Sequence, residues 1–303
     1  MRTTFIQQLL EEARENKKVF LIVGDLGYSV VEPFAAEFPD RFLNPGIAEQ
    51  NMIGVASGLA MEGYIPFIYS IANFPTMRCM EQIRNEACYH DLNINIVSVG
   101  GGFAYGSLGA SHQATEELGM MRVLPNMHVC APGDPVETQT IVKLAVATPH
   151  PFYIRLGKAG EPVVHQQPLD NLQVGDIVPV IEKGASAVIS TGAMLKYSFD
   201  FIQENHLEAA LYSMPFIKPV NREHVRALAE KYTKLITIEE HQLAGGMGSA
   251  LLEILNDLHT EGTISKMPIV QRVAIRDAFY SIAGSQQHLR DVAGVILKKE
   301  YFE

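Results

Sequence analysis

Near-continuous apolar, β-branched runs recur through the first half of the chain, and they constrain the fold more than any other feature. They are VFLIV (19–23), IPFIYS (65–70), INIVSVG (94–100), MHVCAP (127–132) and PFYIRLG (151–157), each separated by a helix-length segment. Strands apolar on both faces belong to a buried, mostly parallel sheet, and the intervening segments supply the helices that cover it. The stretch 158–170, with Gly160, Pro162, His165, Gln166, Gln167 and Pro168, has no sustained period and reads as an interdomain linker. Beyond it the alternation restarts with SAVISTG (186–192), EAALYSMPF (208–216), KLITIEE (234–240) and IVQRVAI (269–275). The expected fold is therefore α/β: two three-layer α/β sandwich domains with mostly parallel sheets, over residues 1–165 and 172–303.

With 303 residues, 47% hydrophobic and 19% charged, the chain can bury both cores. A formal charge of -10 and a pI near 5.5 leave no basic stripe for a nucleic acid, so a small-molecule substrate is expected. Cys79, Cys88 and Cys130 lack metal-ligand spacing and read as reduced, core-filling thiols of a cytoplasmic protein. The amino terminus reads as an amphipathic helix opened by Thr3 or Thr4, without the apolar run of a signal peptide. No segment reaches the roughly 20 apolar residues that span a membrane.

In an open parallel sheet, ligands bind at the carboxyl ends of the strands, so the loops after residues 23, 43, 70 and 99 form the candidate site. Gly24, Gly46, Gly100, Gly101, Gly102 and Gly106 stand in or near those loops. The segment FLNPGIAEQN (42–51) runs into the apolar helix MIGVASGLAMEG, with Glu49 at its start. Taken alone, Glu49 reads either as a helix amino-terminal acid or as a functional carboxylate.

GIAEQN resembles the segment of the transketolase family that bears the glutamate contacting the aminopyrimidine of thiamine diphosphate. The resemblance implies that Glu49 hydrogen-bonds a ring nitrogen and favours the imino tautomer, which takes the proton from the thiazolium carbon. IYSIANFPTMRCMEQIRN (68–85) is similar to the family's aromatic-then-arginine segment, which implies a cofactor-stacking ring, Phe74 first and Tyr69 second. GGGFAYGSLGASHQATEELGMMRVLPNMHVCAPGDPVET (100–138) resembles transketolases more closely than 1-deoxyxylulose-5-phosphate synthases or the beta subunits of 2-oxoacid decarboxylating complexes. It implies a substrate-facing, proton-managing role for His112. By the same resemblance, Asp25 and Leu26 touch the cofactor, Ser29 reaches the substrate, and Arg155 binds its phosphate. EEHQLAGGMGS (239–249) is similar to the family's glycine-rich turn, and His241 there reads as structural.

Two features depart from the family pattern. Ser107 and Leu108 stand where acidic residues usually read the sugar's hydroxyl stereochemistry, which implies a less hydroxylated or deoxy substrate at that carbon. The Gly-Asp-Gly motif that holds the metal and diphosphate is also missing, because Gly24-Asp25, Gly133-Asp134 and Gly175-Asp176 continue into Leu, Pro and Ile. The resemblance, over about residues 3 to 260, thus covers a thiamine-diphosphate pyrimidine-binding domain and a transketolase C-terminal domain. It implies a split enzyme transferring a two-carbon ketol unit between ketose and aldose sugars or sugar phosphates. This chain supplies no metal ligand; a partner subunit holds Mg2+ (or Ca2+) and the diphosphate, in an α2β2 heterotetramer with two copies of this chain at its centre. Met52, Met61, Met77, Met80, Met120 and Met121 are the expected apolar contributors to that interface. The other readings are the beta chain of a 2-oxoacid decarboxylase and a non-catalytic, transketolase-like binding protein.

Overall fold

The computed structural model describes residues 1–158 and 160–303. The first half forms α1 (Arg2–Glu15), β1 (Val19–Val23), α2 (Glu32–Glu37), β2 (Phe42–Leu43), α3 (Glu49–Met61), β3 (Ile65–Ile71), α4 (Met80–Gln82), β4 (Asn95–Val99), α5 (Glu117–Arg122), β5 (His128–Cys130), α6 (Pro135–Ala147) and β6 (Phe152–Leu156). The second half forms β7 (Val178–Ile181), β8 (Ser186–Ser190), α7 (Met194–Glu204), β9 (Ala209–Ser213), β10 (Phe216–Lys218), α8 (Arg222–Lys231), β11 (Lys234–Gln242), α9 (Met247–Thr260), β12 (Ile269–Ile275) and α10 (Gln286–Ala293). The two sheets run β10-β5-β6-β4-β3-β1-β2 and β12-β11-β8-β9-β7. Both are parallel except at one edge of each, where β10 opposes β5 and β7 opposes β9. The expected class, two mostly parallel sheets with covering helices, is what the chain adopts.

Two local expectations change. The run 208–216 is not one strand: β9 ends at Ser213, and the chain crosses over to add β10 to the edge of the first sheet. The first helix starts at Arg2 with Met1 as its cap residue and no side-chain cap, so neither Thr3 nor Thr4 opens it. The linker, of which Ala159 lies outside the described residues, is clasped by hydrogen bonds. Asp134 Oδ2 accepts the backbone N–H groups of Val164 and His165, each at 2.9 Å. The His165 ring then sits between Asp134 at 3.1 Å and Glu137 at 3.6 Å.

The two halves are also bolted together through Arg155 on β6. Its side chain is buried, donates from Nη2 to the carbonyls of Ala114 and Glu240 at 2.5 and 2.8 Å, and pairs through Nε with the fully buried Glu117 at 2.8 Å. Gly101 makes this possible, because a Cβ there would collide with the Arg155 side chain. Arg155, expected to bind the substrate's phosphate, is only 5% exposed, and its Nη2 and Nε face groups inside the protein. One apolar cluster runs from α3 through α5 and β5 to α8 and α9, so the core crosses the boundary between the halves.

Two outcomes follow. Arg155→Met strands the buried Glu117 carboxylate and should cost about 3–5 kcal/mol in a urea melt, the magnitude of a broken buried pair; a change below about 1 kcal/mol would show that the pair does not hold the halves together. Burial pulls the His165 imidazole down, but the hydrogen bond to Asp134 and the charges of Glu137 and Asp134 outweigh it and raise its pKa. Burial pushes the Glu137 carboxyl up to about 7. Both groups hold protons in the folded state, so their contribution is full at low pH. The histidine part persists below its ordinary value of about 6.5 and is lost as pH rises through the higher folded value. The melting temperature should therefore fall as pH rises, from about 4.5 through about 7 for the Glu137 part and above about 6.5 for the His165 part, and less steeply above about 6.5 in His165→Asn; identical slopes there would remove His165 from the linkage.

Candidate active site

The chain leaves β1 toward β2 on one side and returns through α3 to β3 on the other, so β1 and β3 flank a topological switch point. The crevice outside their carboxyl ends is where open α/β sheets bind ligands. Three segments converge there: the 24–29 loop after β1, the first turn of α3, and the 72–79 loop after β3. Gly24 lets α3 pack close, since a Cβ would meet Met52 Sδ at 3.2 Å.

Glu49 is the first residue of α3, where unpaired backbone N–H groups favour a negative charge. It is only 2% exposed. Its Oε2 accepts from Arg78 Nη1 at 2.9 Å, while Oε1 is buried and has no hydrogen-bond partner among the described residues. Fully buried Met52 and Cys79 help keep the pocket dry, and burial together with the Glu49 charge pushes the Cys79 thiol up to about 12. A buried acceptor without a partner costs about 1–3 kcal/mol, and more when charged. Such an atom suits a ligand that brings an N–H.

The 72–79 loop is tied on both sides. Asn73 Nδ2 donates to the carbonyls of Ser111 and Gln113 at 3.2 and 2.5 Å, fastening it to the histidine loop. That second loop is closed by paired hydrogen bonds between Gly102 and Ala114 at 2.7 and 3.0 Å. The Phe74 and His112 rings consequently meet edge-on, 5.5 Å apart, and the Arg78 guanidinium lies 5.1 Å from the Phe74 ring centroid. His112 Nδ1 lies 3.0 Å from Ser111 Oγ. A cleft of about 610 Å³ opens beside them, lined by Phe74, Met77, Arg78, Gln113, Met120 and Phe279 among others.

The remaining expected positions separate into near and far. Asp25 is exposed on the same crevice, paired with the Asn44 side chain at 3.2 Å, and Leu26 beside it is half-buried against the core. Ser29 lies at the exposed tip of that loop, its N–H donated to Glu32 at 2.7 Å. Asp25 and Ser29 both hold left-handed backbone, φ 53° and 63°, which is uncommon outside glycine and clusters at functional loops. Tyr69 cannot stack on a ligand here. It points to the opposite face of the sheet, 1% exposed and stacked on Phe5 at 5.8 Å, because alternate residues of β3 face opposite layers. Leu108 is 55% exposed on the histidine loop. His241 accepts from the Gly119 N–H at 3.1 Å, a structural bond between the halves. Of the expected interface methionines, Met52 and Met121 are core, while Met61 and Met77 reach the surface.

Three participants escaped the sequence reading. Arg78 lies 29 residues from the glutamate it pairs with, Asn73 acts through backbone carbonyls 38 and 40 residues away, and Phe279 comes from the second half of the chain. Only Arg78 left a trace, as the arginine of the aromatic-then-arginine segment.

Comparison with known proteins adds the family. The transketolase pyrimidine-binding domain matches residues 1–160 and the transketolase C-terminal domain matches residues 178–289. The chain is 34% identical over 260 residues to one of the subunits of an apulose-4-phosphate transketolase from Phocaeicola vulgatus, covering 84% of this chain and 83% of that protein. It is 30% identical over 304 residues to a 6-deoxy-6-sulfo-D-fructose transketolase subunit of a Clostridium species, covering 99% and 91%. A solved structure described as a split-gene transketolase, inactive beta4 tetramer, superposes with a TM-score of 0.84 at 35% identity over 97% of this chain and 93% of that one. The chain belongs to the transketolase family and carries the pyrimidine-binding and carboxyl-terminal domains of a split transketolase's carboxyl-terminal subunit.

Proposed function

We propose that this chain is the cofactor-activating half of a two-chain, thiamine-diphosphate-dependent transketolase. The enzyme would move a two-carbon ketol unit from a ketose to an aldose. The observation that carries this reading is the buried, unpartnered Oε1 of Glu49 in the switch-point crevice. Thiamine diphosphate, when bound, supplies the nucleophilic carbon that carries the two-carbon unit.

The chain's own residues divide the remaining work. Glu49 holds a proton against a ring nitrogen of the pyrimidine, in a pocket dry enough for the proton to stay shared. Phe74 offers a stacking face, worth on the order of 1 kcal/mol beyond its area, and Asp25 and Leu26 border the same crevice. His112 stands beside Phe74 and manages protons on the sugar's hydroxyl groups, with Ser29 reaching the substrate from the other loop. A separate chain supplies the diphosphate and Mg2+ (or Ca2+) site, because the Gly-Asp-Gly motif is missing from this sequence. An α2β2 assembly with self-contacts at its centre accommodates both kinds of chain. Exposed Tyr28, Ile47 and Met77 near the crevice are apolar surface such a partner would cover. The relative described as an inactive beta4 tetramer fits a site that one chain cannot complete. The buried free thiols Cys79, Cys88 and Cys130 suit a reducing cytoplasm.

A non-catalytic, transketolase-like role is the second reading, favoured by Leu108, an exposed apolar residue on the substrate loop. Glu49→Ala separates the two. It should abolish turnover, by at least about 100-fold, while light scattering shows the assembly intact; undiminished turnover would overturn the proposed role. Substrate choice is tested at Leu108. Leu108→Asp should raise kcat/KM for fully hydroxylated acceptors relative to deoxy ones by about 10-fold, the worth of one matched hydroxyl. An unchanged ratio would mean that Leu108 does not read the sugar.

A further inference from the structure

We propose that Arg78 is a positioning residue that presents one oxygen of Glu49 to the cofactor by occupying the other. This rests on the role proposed for Glu49 above. The carboxylate has two chemically equivalent oxygens, and an acid that shares a proton with a heterocycle has to offer one of them in a fixed direction. Arg78 Nη1 takes Oε2 at 2.9 Å and leaves Oε1, buried and unpartnered, as the only oxygen free to meet a ligand. A charge-assisted hydrogen bond of that length holds Oε2 in place and so leaves Oε1 to face the crevice.

Arg78 is itself held from three sides. Gln50 Nε2, on the next residue of α3, donates to the Arg78 carbonyl at 2.9 Å, so the helix that carries the acid also grips the arginine's backbone. Its guanidinium lies 5.1 Å from the Phe74 ring centroid, a cation–π distance. Its own loop is anchored by Asn73 to the histidine loop at 3.2 and 2.5 Å. Acid, stacking ring and histidine loop therefore share one hub, and a shift of the arginine would misalign all three. Nearly half of the arginine side chain is exposed, 49%, against 1% for Glu49. The hub lies at the mouth of the crevice, where the half-exposed guanidinium offsets part of the cost of burying the Glu49 charge. Its value is geometric, and misplacing a reacting group by about 1 Å can cost on the order of 100-fold.

The test uses the chain assembled with its diphosphate-domain partner and compares wild type, Arg78→Met, Arg78→Lys and Glu49→Ala. Calorimetry measures Kd for thiamine diphosphate with magnesium and for its analogue lacking the pyrimidine nitrogen that would face Glu49. Wild type should prefer the natural cofactor. Arg78→Met should lose most of that preference, with kcat down about 10- to 100-fold, sugar KM within about 2-fold and the assembly intact by light scattering, and Arg78→Lys should recover most of both. Cofactor preference and kcat preserved in Arg78→Met, while Glu49→Ala loses them, would overturn the positioning role alone. Preference and turnover preserved in Glu49→Ala would overturn the Glu49 reading beneath it.

Discussion

The buried guanidinium of Arg155 is the constraint on which the rest of the molecule depends. It joins β6 to α5 through Glu117, to the end of the histidine loop through the Ala114 carbonyl, and to the second sheet through the Glu240 carbonyl. The Glu240 carboxylate in turn binds Arg290 at 2.6 Å and Gln286 at 2.8 Å, extending the same polar knot to α10. Charges this deep are tolerated only when every partner is in place, so the knot admits one relative placement of the two halves. The loop that carries His112 is closed off at that knot. Its position over Phe74 thus depends on the second half of the chain as well as the first.

The switch-point crevice lies beside this frame. Glu49 is positioned, buried and half-paired, the aromatic and histidine loops are tied together, and no cluster of three metal-ligating side chains exists among the described residues. Exposed apolar side chains gather on the same side. Under the proposed function the division of labour would be that of an interface site: this chain would organise the end of the ligand where protons move, and the charged end would be left to another. Glu49 tolerates its burial because Arg78 and the first turn of α3 offset part of the desolvation.

Much of this was legible in the sequence, and the exceptions have a common cause. Strand composition pointed to the parallel sheets, because only doubly buried strands can be apolar at every position. GIAEQN located the acid and SHQ the histidine, both being local patterns. The strand alternation that buries Tyr69 was equally visible in IPFIYSI, but the direction of the sheet's faces is set only by packing against α1. Arg155 read as a phosphate-binding residue since its partners lie 41 and 85 residues away along the chain. The crossing of β10 into the first sheet was hidden for the same reason: Met214 and Pro215 look like the continuation of a strand, and long-range pairing alone shows where the chain turns.

The central claim is that this chain holds half of a cofactor site. Calorimetric titration of thiamine diphosphate with magnesium, into the chain alone and into the chain mixed with a diphosphate-domain transketolase subunit, tests it most directly. Binding in the mixture and none to the isolated chain is the predicted result. Tight binding to the isolated chain would mean that it carries a diphosphate and metal site of its own and would contradict the account.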